Sequence, residues 1–254
     1  MKRSLFSLSM LVLLVFTFNI GAQKRRATAK SKKVVPVQSP RAVSGTAVVI
    51  DERLAVLRRA PGLFAVTIRR MRRGRVVAVS GSKEADGATF YRVNAPPNGY
   101  GWVQAEAVAG SFRRGDDARL AKLVQSSEGF EQIDRAAIFL ETYADSPLRP
   151  AILLLTGDLM EETALKLSGE ATRRLDRREM AASGAPLHSF YMNYAALDRY
   201  KKLGIVFLFN PNAKLFHYDG ANWREVIKKS PKSNEADEAR KRLDSLKEKM
   251  EAVK

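Results

Sequence analysis

Tyr91-Arg-Val-Asn-Ala-Pro-Pro-Asn-Gly-Tyr-Gly-Trp-Val103 reads as strand, turn and strand. Aromatic and β-branched residues flank a Pro-Pro-Asn-Gly run, in which proline fixes φ and glycine takes conformations closed to other residues. A β-hairpin at this place decides the fold. The segment before it breaks into short strands able to pack on it, and the segment after it changes to helical periodicity.

Upstream, Thr46-Ala-Val-Val-Ile50 and Leu54-Ala-Val-Leu57 are β signals, and Ala60-Pro61-Gly62 is a turn. Phe64 to Arg69 alternates apolar and polar, and so does Arg75 to Ser80 after Arg73-Gly74. Gly81 to Gly87 reads as a polar loop, and Thr89 to Val93 leads into the hairpin. Short strands separated by Gly/Pro turns imply a small all-β barrel or sandwich over residues 46–110.

Val56-Leu-Arg-Arg-Ala-Pro-Gly62, then Arg73-Gly74 before a Val-rich strand, then Phe90-Tyr-Arg-Val93 and Gly99-Tyr-Gly-Trp-Val103, together resemble the bacterial SH3-like (SH3b) domain. The resemblance implies a small barrel with Gly74, Gly99, Gly101 and Trp102 as structural positions. It also implies binding of peptidoglycan or peptides at the cell envelope. Two positions depart from that pattern. Arg59 is followed by Ala60 instead of a short polar residue, and the strand Arg69-Arg70-Met71-Arg72-Arg73 is unusually basic.

That basic run is the first candidate surface. On a strand Arg69 and Arg73 share the side of Met71, whereas Arg70 and Arg72 take the other. Like charges so dense repel unless an anion meets them, which points to an anionic ligand; the competing reading is an edge strand charged against aggregation. Tyr91 and Tyr100 are the expected exposed aromatic contacts, and Trp102 is expected to turn inward.

Beyond Gly110-Ser-Phe-Arg-Arg-Gly115, Asp116 is placed to cap a helix. Ile133, Ala136, Ala137 and Leu140 recur at i, i+3, i+4 and i+7, and Ser146-Pro147 opens a further helix from Leu148 to about Lys166. The phrase helix, Ser/Pro turn, helix returns from Trp223 to Leu243, so residues 116–254 resemble tetratricopeptide (TPR-like) helical hairpins. That resemblance implies an all-α region offering a groove to a protein partner. Tyr191, Tyr194 and Leu197 mark a helix between these pairs, and Gly204-Ile-Val-Phe-Leu-Phe209 reads as a buried helix or strand, too short to span a membrane.

The chain opens Met1-Lys-Arg3, runs apolar to Phe16 and ends that stretch in Gly21-Ala22, the form of an export signal over residues 1–22. Lys24, Arg25 and Arg26 favour the alternative, an uncleaved membrane anchor. Residues 23–45 form a basic linker, expected to be disordered. The formal charge is +17 in 254 residues, so an exported chain of this kind meets anionic envelope polymers or acidic proteins, and no nucleic acid is expected. Without cysteine there is no lipid attachment, disulfide or thiolate metal site.

Catalytic constellations are missing from the sequence. His188 and His217 stand apart with no ligand-spaced partner, so neither metal nor cofactor is expected. Ser80-Gly-Ser-Lys83 matches a Ser-x-x-Lys string but lacks its companion strings. The expectation is a non-enzymatic, periplasmic or envelope adaptor whose barrel binds peptidoglycan or a peptide and whose helices bind a protein partner. The alternative is an assembly component in which the barrel is a spacer.

Overall fold

The computed structural model describes residues 44–251, apart from Asn98 and Asp176. The expected signal and nearly all of the basic linker lie outside those residues. The quoted hairpin forms as its turn chemistry requires. Strand β5 (Ala88–Asn94) pairs antiparallel with β6 (Tyr100–Gln104), from Phe90 opposite Gln104 to Asn94 opposite Tyr100. The Ala95 N–H closes the turn on the Gly99 carbonyl at 2.7 Å.

Five more strands complete the sheet: β1 (Gly45–Val49), β2 (Val56–Arg58), β3 (Thr67–Arg70), β4 (Val76–Ala85) and β7 (Val108–Ala109). Their order is β3-β2-β6-β5-β4-β1-β7. The sheet is antiparallel but does not close as a barrel, because β3 and β7 stand at its opposite ends. β7 is only two residues long and pairs with β1, Val48 opposite Ala109, before the chain turns away into helix.

The polar stretch expected as a loop after Gly81 instead continues β4 to Ala85. It turns on Asp86-Gly87, both at positive φ, and returns as β5. Asp-Gly is the dipeptide that a two-residue hairpin turn favours. Gly74, at φ +76°, makes the turn before β4. Gly101 answers a different need, since a Cβ there would lie 2.7 Å from the Arg58 carbonyl oxygen of the adjacent strand.

The inner side of the sheet buries Leu57, Met71, Val77, Val79, Tyr91, Val93 and Val103. Val48, Ile50 and Ala109 join a second cluster with Leu120, Val124, Ile138 and Phe139, which come from α1 (Asp116–Gln125) and α2 (Gly129–Thr142). Sheet and helices therefore share apolar core. The connection between them winds around the buried Asp116 carboxylate, which accepts from the Gly110 N–H at 3.0 Å and pairs with Arg113 and Arg119.

The long helix α3 (Arg149–Arg174) follows a turn in which Ser146 Oγ accepts from the Leu148 N–H. Next come α4 (Arg177–Ser183), α5 (Leu187–Met192) and α6 (Asp198–Lys201). The region is not all-α as expected. Strands β8 (Phe207–Asn210) and β9 (Leu215–Tyr218) form a hairpin inside it. β9, α7 (Ala221–Lys229) and α8 (Asn234–Glu251) pack on α3 around Leu153, Met160, Ala164, Phe216, Trp223 and Val226.

Candidate binding surface

The arginine run keeps the strand alternation. Met71 is buried, Arg69 and Arg73 are half-buried on its side, and Arg70 and Arg72 are exposed. Much of the expected anionic complement comes from the chain itself. Arg73, whose side chain is 15% exposed, pairs with Glu131 at 2.7 Å and Asp134 at 3.2 Å on α2. It joins sheet to helix, with two of its guanidinium nitrogens engaged by these carboxylates. The Arg69 guanidinium donates to the Ala95 and Pro97 carbonyls, and Arg70 donates to those of Glu52 and Arg53 at 3.0 Å. Arg75 caps the Pro96 carbonyl.

The two aromatics either side of the turn exchange their expected roles. Tyr91 is 6% exposed and meets Phe112 edge-on, with ring centroids 5.6 Å apart. Trp102 is half-buried and turns to the outer side. The cause is parity: Gly101 and Val103 face the core, so Tyr100, Trp102 and Gln104 face away from it. Counting alternation outward from Val93 and Val103 would have found this. A general preference of tryptophan for burial does not override a fixed register.

One row of that outer side runs Thr67, Arg58, Trp102 and Arg92 across β3, β2, β6 and β5. Arg58 reaches the Ala65 carbonyl at 3.0 Å, and the Leu63 N–H donates to Asp86 at 2.8 Å. The β2–β3 loop is thereby pinned both to the row and to the tip of the β4–β5 hairpin. This fixed loop presents Phe64, 92% exposed, and Val66, 64% exposed. Tyr100, 71% exposed, has only its hydroxyl within reach of Asn94, at 3.4 Å. Among the described residues Arg59, Arg72 and Arg92 have no ion-pair or side-chain hydrogen-bond partner. An aromatic face beside a free guanidinium, as Trp102 stands opposite Arg92, suits ligands that combine flat apolar surface with negative charge.

Away from this surface one buried ionisable cluster is satisfied internally. Glu161 of α3 accepts from His217 Nδ1 at 2.9 Å, from the Tyr218 N–H at 2.9 Å and from Lys249 Nζ at 3.0 Å. Burial alone raises its pKa, but the bonds from His217, Tyr218 and Lys249 outweigh it and hold the carboxyl at about 2. His217 is therefore a buried strut between β9 and α3. Among the described residues no group of three or more His, Cys, Asp or Glu is placed to hold a metal ion, and no helix is long and apolar enough to cross a membrane. Comparison of the chain with family models, with curated proteins and with solved structures returns no match.

Proposed function

We propose that this chain is a non-enzymatic cell-envelope adaptor, with its sheet binding peptidoglycan and its helical part holding a protein partner. The observation that carries the reading is the outer side of the sheet. There Tyr100, Trp102 and Arg92 lie together, and the arginine and the tyrosine ring make few bonds within the chain. A glycan strand offers flat sugar faces to such rings, and its peptide stems offer carboxylates to such arginines. The SH3-like resemblance of residues 46–110 and the export signal agree with this reading. An open sheet in place of a closed barrel leaves the same outer side available.

Co-sedimentation with purified sacculi tests it. Binding retained at 1 M salt, where the screening length is about 3 Å, and lost in Tyr100→Ala supports a shaped site. Binding that vanishes with salt, or that ignores Tyr100→Ala, refutes it. The partner role of the helices is supported by a cleft of about 480 Å³ between α2, α3 and α7, lined by Ile133, Leu140, Leu203, Tyr218 and Glu225. Leu203→Lys in that cleft is expected to abolish partner co-purification while leaving sacculus binding unchanged.

A further inference from the structure

We propose that the open edge of β3 is a docking site for an extended acidic segment of a partner protein, added to the sheet as an extra strand. β3 has a single neighbour, β2. The Met71 N–H bonds the Ala55 carbonyl at 2.8 Å and the Val66 carbonyl accepts from Arg59 at 3.0 Å, so those groups are used on the β2 side. Backbone groups of alternating residues, Arg70 among them, face the other way. An edge of this kind is normally blunted by charges standing over it. Here the Arg69 and Arg70 guanidiniums are turned onto carbonyls of neighbouring turns instead.

Three apolar side chains stand exposed along the edge. Phe64, Val66 and Ile68 are exposed at a spacing of two residues, and the pinned β2–β3 loop holds the first two in place. Because the loop is already ordered, docking onto it forfeits little conformational entropy. Charge selects the occupant. The chain's own residues 23–44 carry lysines and arginines and no acid. A second copy would bring Arg59 and Arg72 against their own kind. An apolar strand bearing carboxylates satisfies Phe64, Val66 and Ile68 together with the unpaired Arg59 and Arg72. The inference is separate from the wall reading, since Tyr100 and Trp102 lie on the sheet's outer side and not along this edge.

The experiment is fluorescence anisotropy of the purified chain with a labelled peptide of alternating Glu and Val. Two companion peptides go with it: a Lys/Val peptide, and the Glu/Val peptide with alternate backbone nitrogens methylated. Binding of the first alone, weakened roughly tenfold or more in Phe64→Asp and in Arg72→Glu, is the expected result. Phe64 and Arg72 are exposed, so neither change disturbs the core. Equal binding of the methylated peptide would reduce the edge to a cationic patch and overturn strand addition. Failure of the Glu/Val peptide to bind overturns the proposal, and so does self-association abolished by Phe64→Asp, which would make a second copy the occupant. Tyr100→Ala, which leaves the β3 edge intact, is expected to keep Glu/Val peptide binding while losing sacculus binding, so loss of one reading leaves the other standing.

Discussion

Two glycines on one helix predict opposite outcomes for the same substitution. Gly157 and Gly169 both lie inside α3, where glycine is less favourable than alanine by about 1 kcal/mol. Around Gly169 only the end of Arg173 comes near, at 4.0 Å from an added Cβ, so Gly169→Ala is expected to stabilise by about 0.5–1 kcal/mol. At Gly157 an added Cβ would sit 2.2 Å from Nε1 of Trp223, 2.6 Å from Cδ1 and 2.8 Å from Cε2. Trp223 is fully buried and meets Tyr218 edge-on, so the indole has to retreat by about 1 Å into packed core or α7 has to lift away from α3. Overpacking of this kind costs about 1–3 kcal/mol. Less the gain in propensity of about 1 kcal/mol, Gly157→Ala is expected to destabilise by about 0–2 kcal/mol. Urea unfolding followed by far-UV circular dichroism, extrapolated linearly, measures both variants. If Gly157→Ala stabilises as much as Gly169→Ala, Trp223 is not seated on that helix face and the packing of α7 described above is wrong.

Glu161 carries a pH dependence whose sign follows from its depressed pKa, about 2 in the fold against 4.5 for the free side chain. Its contribution is complete above pH 4.5 and disappears as pH falls toward 2. Glu161→Gln should therefore lower stability at neutral pH by roughly 2–3 kcal/mol and flatten the stability profile across that acid window. Arg73→Ala is expected to cost about 1–3 kcal/mol, because its partners Glu131 and Asp134 are only partly exposed. Arg72→Ala, at the neighbouring residue on the other side and free in solvent, should stay within about 0.5 kcal/mol, both read by thermal melts. Tyr91→Ala should cost about 3 kcal/mol by urea titration. Tyr100→Ala should leave stability nearly unchanged and lose sacculus binding.

The parts of the fold that were legible in sequence are those decided by near neighbours. The Pro-Pro-Asn-Gly turn set the β5–β6 hairpin, and period-two alternation set which arginines flank Met71. What depended on distant partners was hidden. Glu131 and Asp134 meet Arg73 across 58 and 61 residues, so that arginine looked free in sequence. Whether the sheet closes rests on where β7 pairs, and two residues give no periodicity to read. The β8–β9 hairpin was a different failure. Gly204 to Phe209 reads as either helix or strand, and with the turn signal Asn210-Pro-Asn212 overlooked its partner strand β9 goes unread. On the candidate surface, Tyr100 was found and Phe64 was not, because a phenylalanine in an alternating run is ordinarily assigned to the core.

The buried carboxylate of Asp116 bears on how this chain is divided in practice. A cut placed at Gly110, where the strands end and the sequence invites a domain boundary, would remove the N–H that this carboxylate holds. It would also part Val48, Ile50 and Ala109 from Leu120, Val124 and Ile138. Either fragment would then carry a raw apolar face, so the sheet is not portable as a cassette. Proteases seeking a flexible joint there should find a guarded one, and exchange of halves between related chains would have to carry α1 and α2 along with the strands.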